Sequence, residues 1–142
     1  MKKAIVFYSK TGNTLSVAER FKGFDLLRVV PSDDNPNQRK VELVEIPEIQ
    51  DYDEIIFACP VHGFMICKVM KAYLDQIKDL SNKTIDLFIT HQFPYAWMGG
   101  KQTLNQMKII VKAKKGSVRR MTSINWSNKK REEQIENMLK LY

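Results

Sequence analysis

Five stretches of the chain have the hydrophobic pattern of β-strands. The first and third are almost continuously apolar, which is typical of strands buried on both faces of a parallel sheet. The second alternates between apolar and polar residues, so we expect it at an edge of the sheet. The predicted strands are residues 3–8, 25–30, 54–59, 84–90 and 117–124.

Helical spacing of apolar residues separates most of these strands. The predicted helices are residues 13–22, 67–80 and 101–115, followed by a last helix that Ser127 caps. Residues 31–50 are polar and contain three prolines, so we expect the second helix to be short or missing. Alternating strands and helices predict an α/β protein with three layers, in which a doubly wound parallel sheet lies between two layers of helices.

Length and composition limit the possible classes of protein. A chain of 142 residues with 44% hydrophobic content predicts one domain over residues 1–142. No apolar run approaches the roughly 20 residues that span a bilayer. The start of the chain has no secretory signal pattern, so we expect a cytoplasmic protein without a membrane anchor. Cys59 and Cys67 lack the spacing of a redox pair, and packing is the favoured role for both.

The chain has a net charge of +7 and a pI near 9.4. Such charge can bind an acidic partner, bind nucleic acid, or serve solubility alone. Much of the positive excess follows residue 100. No nucleic-acid-binding motif accompanies it, which disfavours nucleic acid. If the partner is a protein, such charge steers an acidic docking face of that partner toward this chain.

One loop directly after the first strand has the chemistry of an anion site. It offers three hydroxyls, one amide and the flexible backbone of a glycine, and a helix follows it. The loop has neither the Walker A spacing nor the Gly-x-Gly-x-x-Gly dinucleotide pattern. A capped helix, with Thr11 or Asn13 as the cap, is the alternative interpretation. The candidate binding residues are Ser9, Lys10, Thr11, Gly12, Asn13 and Thr14.

This loop resembles the Ser/Thr-x-Thr-Gly-Asn-Thr phosphate loop of flavodoxins, which binds the phosphate of FMN. The resemblance implies a five-stranded parallel sheet with strand order 2-1-3-4-5 and FMN as the cofactor. In that order the topological switch point, where such folds bind their ligands, falls between the first and third strands. The loops after strands one, three and four are then expected to converge at one edge.

The second of these loops is Pro60, Val61, His62, Gly63 and Phe64. It is similar to a segment of small flavodoxin-domain proteins from anaerobes. The resemblance implies that the His62–Gly63 peptide turns its carbonyl toward the reduced flavin ring. The family has an aromatic residue where this chain has His62, and imidazole is a poorer stacking surface that titrates near neutrality. A solvated loop histidine is the alternative.

The third loop is rich in aromatic side chains that can stack on a flavin ring. It looks like the second ring-binding loop of the same family. Covering the core is the alternative role for Trp97. The candidate residues are Phe93, Tyr95, Ala96, Trp97 and Gly99.

The sequence contains no convincing acid–base pair, metal-ligand spacing or Ser-His-Asp arrangement. It therefore favours a carrier that shuttles electrons between a reductase and an acceptor enzyme. Two alternatives stay open. One is an FMN-dependent oxidoreductase acting on a quinone, azo or porphyrinogen substrate, and the other is a flavin-free binding module that kept the fold.

Overall fold

The computed structural model describes residues 1–63, 65–92 and 100–142. The strands are β1 (Lys3–Phe7), β2 (Asp25–Arg28), β3 (Val30–Pro31), β4 (Leu43–Glu45), β5 (Glu54–His62), β6 (Met65–Ile66), β7 (Thr84–His91) and β8 (Ser117–Asn125). The helices are α1 (Asn13–Ala18), α2 (Lys68–Gln76), α3 (Gly100–Ala113) and α4 (Arg131–Leu139). The main parallel strands lie in the order β2-β1-β5-β7-β8, which confirms the predicted order 2-1-3-4-5.

Alternate residues of the central strands face opposite sides of the sheet and build two separate cores. On β1, Ile5 belongs to the core under α1 and α4, whereas Val6 belongs to the core under α2 and α3. Each of these side chains is fully buried. Because both faces of a parallel sheet must be covered, the sequence needs the near-continuous apolar runs seen in β1 and β5. The three layers predicted from the alternation of elements are confirmed.

The second helix is missing, as predicted. Where it would lie, β3 and β4 pair antiparallel in a small two-stranded ladder. The Ser32 N–H donates to the Glu42 carbonyl and continues this pairing. Proline and polar residues exclude a long helix here.

Several predicted boundaries are wrong. The third predicted strand continues past Cys59 to His62, because its end pairs antiparallel with β6 and gains hydrogen bonds there. The first helix ends at Ala18, earlier than its apolar spacing indicates. Ser127 does not cap the last helix, which begins at Arg131; its hydroxyl instead donates to the Gln92 carbonyl.

Within the three described ranges, no helix combines the length and the apolar character needed to cross a bilayer.

Candidate functional site

The loop after β1 is held in shape by Ser9. Its hydroxyl oxygen accepts the backbone N–H groups of Gly12 at 3.1 Å and Leu15 at 3.3 Å. Gly12 has a φ of 95°, in the left-handed region that glycine adopts without a steric penalty. Ser9 is almost fully buried. Its side chain therefore shapes the loop from inside, whereas the sequence suggested only that it offers a hydroxyl to an anion.

Other backbone donors of the same loop are left without acceptors. In the part of the chain that the structure describes, the N–H groups of Lys10, Thr11, Asn13 and Thr14 donate to no protein group. The Thr11 and Lys10 side chains are exposed beside them. Successive free N–H groups around a left-handed residue form a concave anion-binding nest. The loop thus has the donor set that a phosphate group requires.

The hydroxyl of Thr14 points into the protein. It lies 3.0 Å from the hydroxyl of Thr90, and both side chains are buried. This contact joins the start of α1 to the carboxyl end of β7. Thr90 was not among the predicted site residues, although a hydroxyl at the end of an apolar strand is the signal that could have identified it.

Arg28 places a permanent positive charge next to the nest. It ends β2, opposite Phe7 of β1, and its Nη2 donates to the Ser9 carbonyl oxygen at 2.9 Å. The guanidinium lies 5.9 Å from the centre of the Phe7 ring. The sequence analysis missed Arg28 because its distance from the loop depends on the register of β2 against β1.

The predicted second loop is a hairpin. Pro60, Val61 and His62 continue β5, and Val61 and His62 pair with Ile66 and Met65 of β6. Gly63 at the turn has a φ of 56°, with open space where a Cβ would lie. The Ile66 N–H donates to Gln106 Oε1 at 2.8 Å, which ties the hairpin to α3. Phe64 lies outside the described residues.

His62 connects the hairpin with the residue that precedes the loop after β1. Its ring meets the Tyr8 ring edge-on, with 6.3 Å between the centres. Burial, and to a smaller extent the charge of Lys10, lowers the pKa of His62 from its ordinary value. The lowered pKa favours the neutral form of the imidazole. Its half-buried packing disfavours the solvated-loop interpretation.

Tyr8 is fixed beneath the same site. Its hydroxyl donates to Asp34 Oδ1 at 3.0 Å, and its side chain is buried. Burial raises the pKa of Tyr8, and the hydrogen bond to Asp34 raises it further. The residue is a rigid neutral support that joins the loop after β3 to the two loops of the site.

The third predicted loop, with Phe93, Tyr95, Ala96, Trp97 and Gly99, lies outside the described residues. The elements on either side of it are placed. β7 ends at His91, whose carbonyl accepts the Trp126 N–H at 2.7 Å, and α3 begins at Gly100. The role of the aromatic residues therefore stays a prediction.

A separate cleft of about 640 Å³ opens at the opposite, amino edge of the sheet. Its lining includes polar side chains that donate to backbone carbonyls. The Tyr73 hydroxyl donates to Pro47, and Lys83 donates to Gln50 and Tyr52. Among the described residues, no cluster of three or more His, Cys, Asp or Glu residues could hold a metal ion.

Solved structures with the same fold cover nearly the whole chain. The Trp repressor binding protein of Bacillus subtilis matches with a TM-score of 0.75 and 14% identity, covering 99% of each chain. Flavodoxin 1 of Bacillus cereus matches with a TM-score of 0.68 and 17% identity, over 99% of this chain and 94% of that one. A flavodoxin of Streptococcus pneumoniae matches with a TM-score of 0.65 and 16% identity, over 99% and 96%.

No protein-family model matches the chain, and no curated protein matches it by sequence. At these low identities the structural matches establish the fold alone. The chain has a flavodoxin-like α/β fold, as its sequence motifs predicted.

Proposed function

We propose that this chain binds FMN and carries electrons between a reductase and an acceptor enzyme. The observation that supports this most strongly is the set of free N–H groups around Gly12, at the carboxyl ends of β1 and β5. That position is the topological switch point of this fold. Bound FMN would supply one-electron and two-electron redox chemistry.

The phosphate end of the site is the better supported part of this proposal. The N–H groups of residues 10, 11, 13 and 14 bind the phosphate, the Thr11 hydroxyl adds a further donor, and Lys10 and Arg28 lower the cost of its negative charge. Ser9 and Thr14 act indirectly, by holding the loop against β7 and the start of α1.

The ring end of the site is assigned to the hairpin and to the aromatic loop. Pro60, Val61 and His62 supply one wall. The His62–Gly63 peptide can rotate with little steric penalty, because glycine has no Cβ and the space beside Gly63 is open. The family resemblance implies that further residues contact the ring, and we include them in the proposal: Phe64, Phe93, Tyr95, Ala96, Trp97 and Gly99.

The proposal is tested by titrating the purified chain with FMN and, separately, with riboflavin, which lacks the phosphate. We expect the fluorescence of FMN to be quenched on binding, with an affinity roughly tenfold or more above that of riboflavin. Equal affinities would contradict the phosphate site, and no uptake of either flavin would overturn the proposal. Direct oxidation of NAD(P)H with a quinone acceptor would favour an enzyme over a carrier.

The charge of Arg28 should strengthen binding of the FMN phosphate and have little effect on binding of the flavin ring. We expect Arg28→Gln to weaken FMN binding several-fold at low salt, with a smaller effect at high salt because ions screen the charge. Riboflavin binding should change less than twofold. Arg39→Gln removes an exposed cation from the loop after β3 and serves as the control. A similar loss for both flavins would show that Arg28 acts by supporting the loop.

The half-buried imidazole predicts a stability that depends on pH. The folded state lowers the pKa of His62. A group with a lowered basic pKa destabilises the fold when it is protonated, so the free energy of unfolding falls as the pH drops below about 6.5. We expect the melting temperature of the flavin-free protein to fall more between about pH 7.5 and about pH 5.5 than that of His62→Gln. Parallel pH curves for the two proteins would contradict this.

A further inference from the structure

Basic side chains from separate parts of the chain gather at the carboxyl edge of the sheet. They lie at or after the ends of strands, or in the first turns of the helices that start at this edge. We call them the cationic rim: Lys10, Arg28, Lys68, Lys101, Lys129, Lys130 and Arg131. All are exposed except Arg131, which is partly buried. They surround the edge at which the phosphate nest and the hairpin lie.

Most of this charge is not neutralised by ion pairs. Across the described residues, only Arg131 among the rim members has a carboxylate within 4.0 Å, namely Glu132 at 3.8 Å. Lys68 and Arg28 donate to backbone carbonyls, which leaves their charge uncompensated. The positive potential of these groups therefore extends into solvent, where salt and the nearby carboxylates reduce it.

Carboxylates also lie at this edge: Asp33 and Asp34 follow β3, and Glu132 and Glu133 are in the first turn of α4. Their charge offsets part of the rim's positive charge. Asp34 accepts the Tyr8 hydroxyl, and Glu132 is held by Arg20 through a bidentate contact. At the opposite edge, acids stand among the bases: Asp25, Asp51, Asp53 and Asp79 accompany Lys2, Lys22, Lys78 and Lys83. Lys112, Lys114 and Lys115 also lie at the amino edge, where α3 ends, so positive charge is present at both edges. The carboxyl edge differs in that its basic side chains come from separate parts of the chain and surround the candidate site.

We propose that the cationic rim docks an electron-transfer protein whose own redox centre is surrounded by carboxylates. The proposal rests on the proposed function, because it takes the rim to surround a bound flavin. Opposite charges placed around two redox centres steer them together and raise the rate of encounter.

Two features favour a protein partner over nucleic acid. The rim cations lie on loops and on the first turns of helices around one edge, and not along one helix that could enter a groove. Under the proposed function, a partner that covers this edge also exchanges electrons with the bound flavin. A protein with its own redox centre can do so.

The test uses matched triple variants. Lys101→Gln, Lys129→Gln and Lys130→Gln together remove rim charge without touching the residues assigned to the cofactor. Lys22→Gln, Lys78→Gln and Lys112→Gln remove the same charge near the amino edge, where α1, α2 and α3 end. All six lysines are exposed, so both triples should fold normally.

The probe is a reduced plant-type [2Fe–2S] ferredoxin of acidic surface, mixed with FMN-loaded protein in a stopped-flow instrument. Each ferredoxin that is oxidised passes one electron to the bound FMN. We expect the second-order rate constant at low salt to fall roughly tenfold in the rim triple and to change less than twofold in the control triple. The wild-type rate should also fall as salt is added.

A second arm needs no flavin. The ¹⁵N-labelled flavin-free chain is titrated with oxidised ferredoxin, and we expect amide shift changes near Lys10, Lys101 and Lys129. Equal rates for the two triples, or shifts spread over the amino edge, would overturn the docking proposal. Tighter, rim-dependent binding of a labelled DNA duplex would overturn it as well. Shifts at the rim without uptake of FMN would remove the proposed function and leave the docking surface standing.

Discussion

Gly12→Ala is expected to weaken FMN binding by roughly fivefold to thirtyfold. Gly12 has a φ of 95°, and a side chain in the left-handed region costs about 1–2 kcal/mol. The Cβ itself meets no atom within 4 Å, so the cost is one of backbone conformation and not of collision. The loop relieves this strain by rotating, and the free N–H groups then no longer converge on the phosphate. Fluorescence titration with FMN measures the change.

Gly23 provides the matched control for this variant. It also has a positive φ, of 79°, with open space for a Cβ, but it follows α1 at the far end of that helix. Gly23→Ala should lower the melting temperature about as much as Gly12→Ala does and leave the affinity for FMN within twofold. If both variants bind FMN equally well, the nest around Gly12 is not the phosphate site.

Asp86→Ala is expected to lower the free energy of unfolding by about 2–3 kcal/mol, the largest stability effect that we predict. Asp86 is fully buried on β7. It accepts Arg119 Nη2 at 2.7 Å, the Arg120 backbone N–H at 2.9 Å and the Tyr142 hydroxyl at 2.8 Å. Removing the carboxylate leaves these donors without their acceptor. The expected loss of stability is moderate because Arg119 is partly exposed and keeps Glu54 as a partner. Water can also hydrate the guanidinium once the carboxylate is removed.

Chemical denaturation measures this effect, with Asp75→Ala as the control. Asp75 is exposed and pairs with Lys71 one helical turn away, an arrangement worth less than about 0.5 kcal/mol. Tyr142→Phe removes a single donor to Asp86 and should cost about 1 kcal/mol. A loss from Asp86→Ala no larger than that from Asp75→Ala would mean that the buried carboxylate does not anchor β8 and the end of the chain.

The strands were predictable because they depend on patterns that a sequence displays directly, whereas their order was implied by the resemblance to flavodoxins. The apolar runs that contain Ile5 and Ile56 can be buried only in the middle of a parallel sheet. The loop around Gly12 could be located in the sequence because hydroxyl-bearing and small residues separate a predicted strand from a predicted helix. The polar segment after Pro31 similarly indicated the missing helix.

Other features could not be predicted because they depend on pairing between distant segments. The sequence from Pro60 onward predicts a loop at the end of β5. These residues form a strand only because they pair with Met65 and Ile66. Ser127 has the residue type of a helix cap, yet its hydroxyl is engaged by Gln92, which lies 35 positions earlier. Such competition between local and distant hydrogen bonds has no signature in the spacing of residues.

The sequence by itself determined the α/β class, and the resemblance implied the strand order that the structure confirms. The binding of a phosphate by the loop around Gly12 stays a prediction. Only the tertiary structure decided that Ser9 and Thr14 turn inward, that Arg28 supports the loop, and which N–H groups stay free. It also decided that basic residues far apart along the chain meet at one edge of the sheet. The reason is that periodicity is a local property, whereas hydrogen-bond partners and charge neighbours follow from strand order and register.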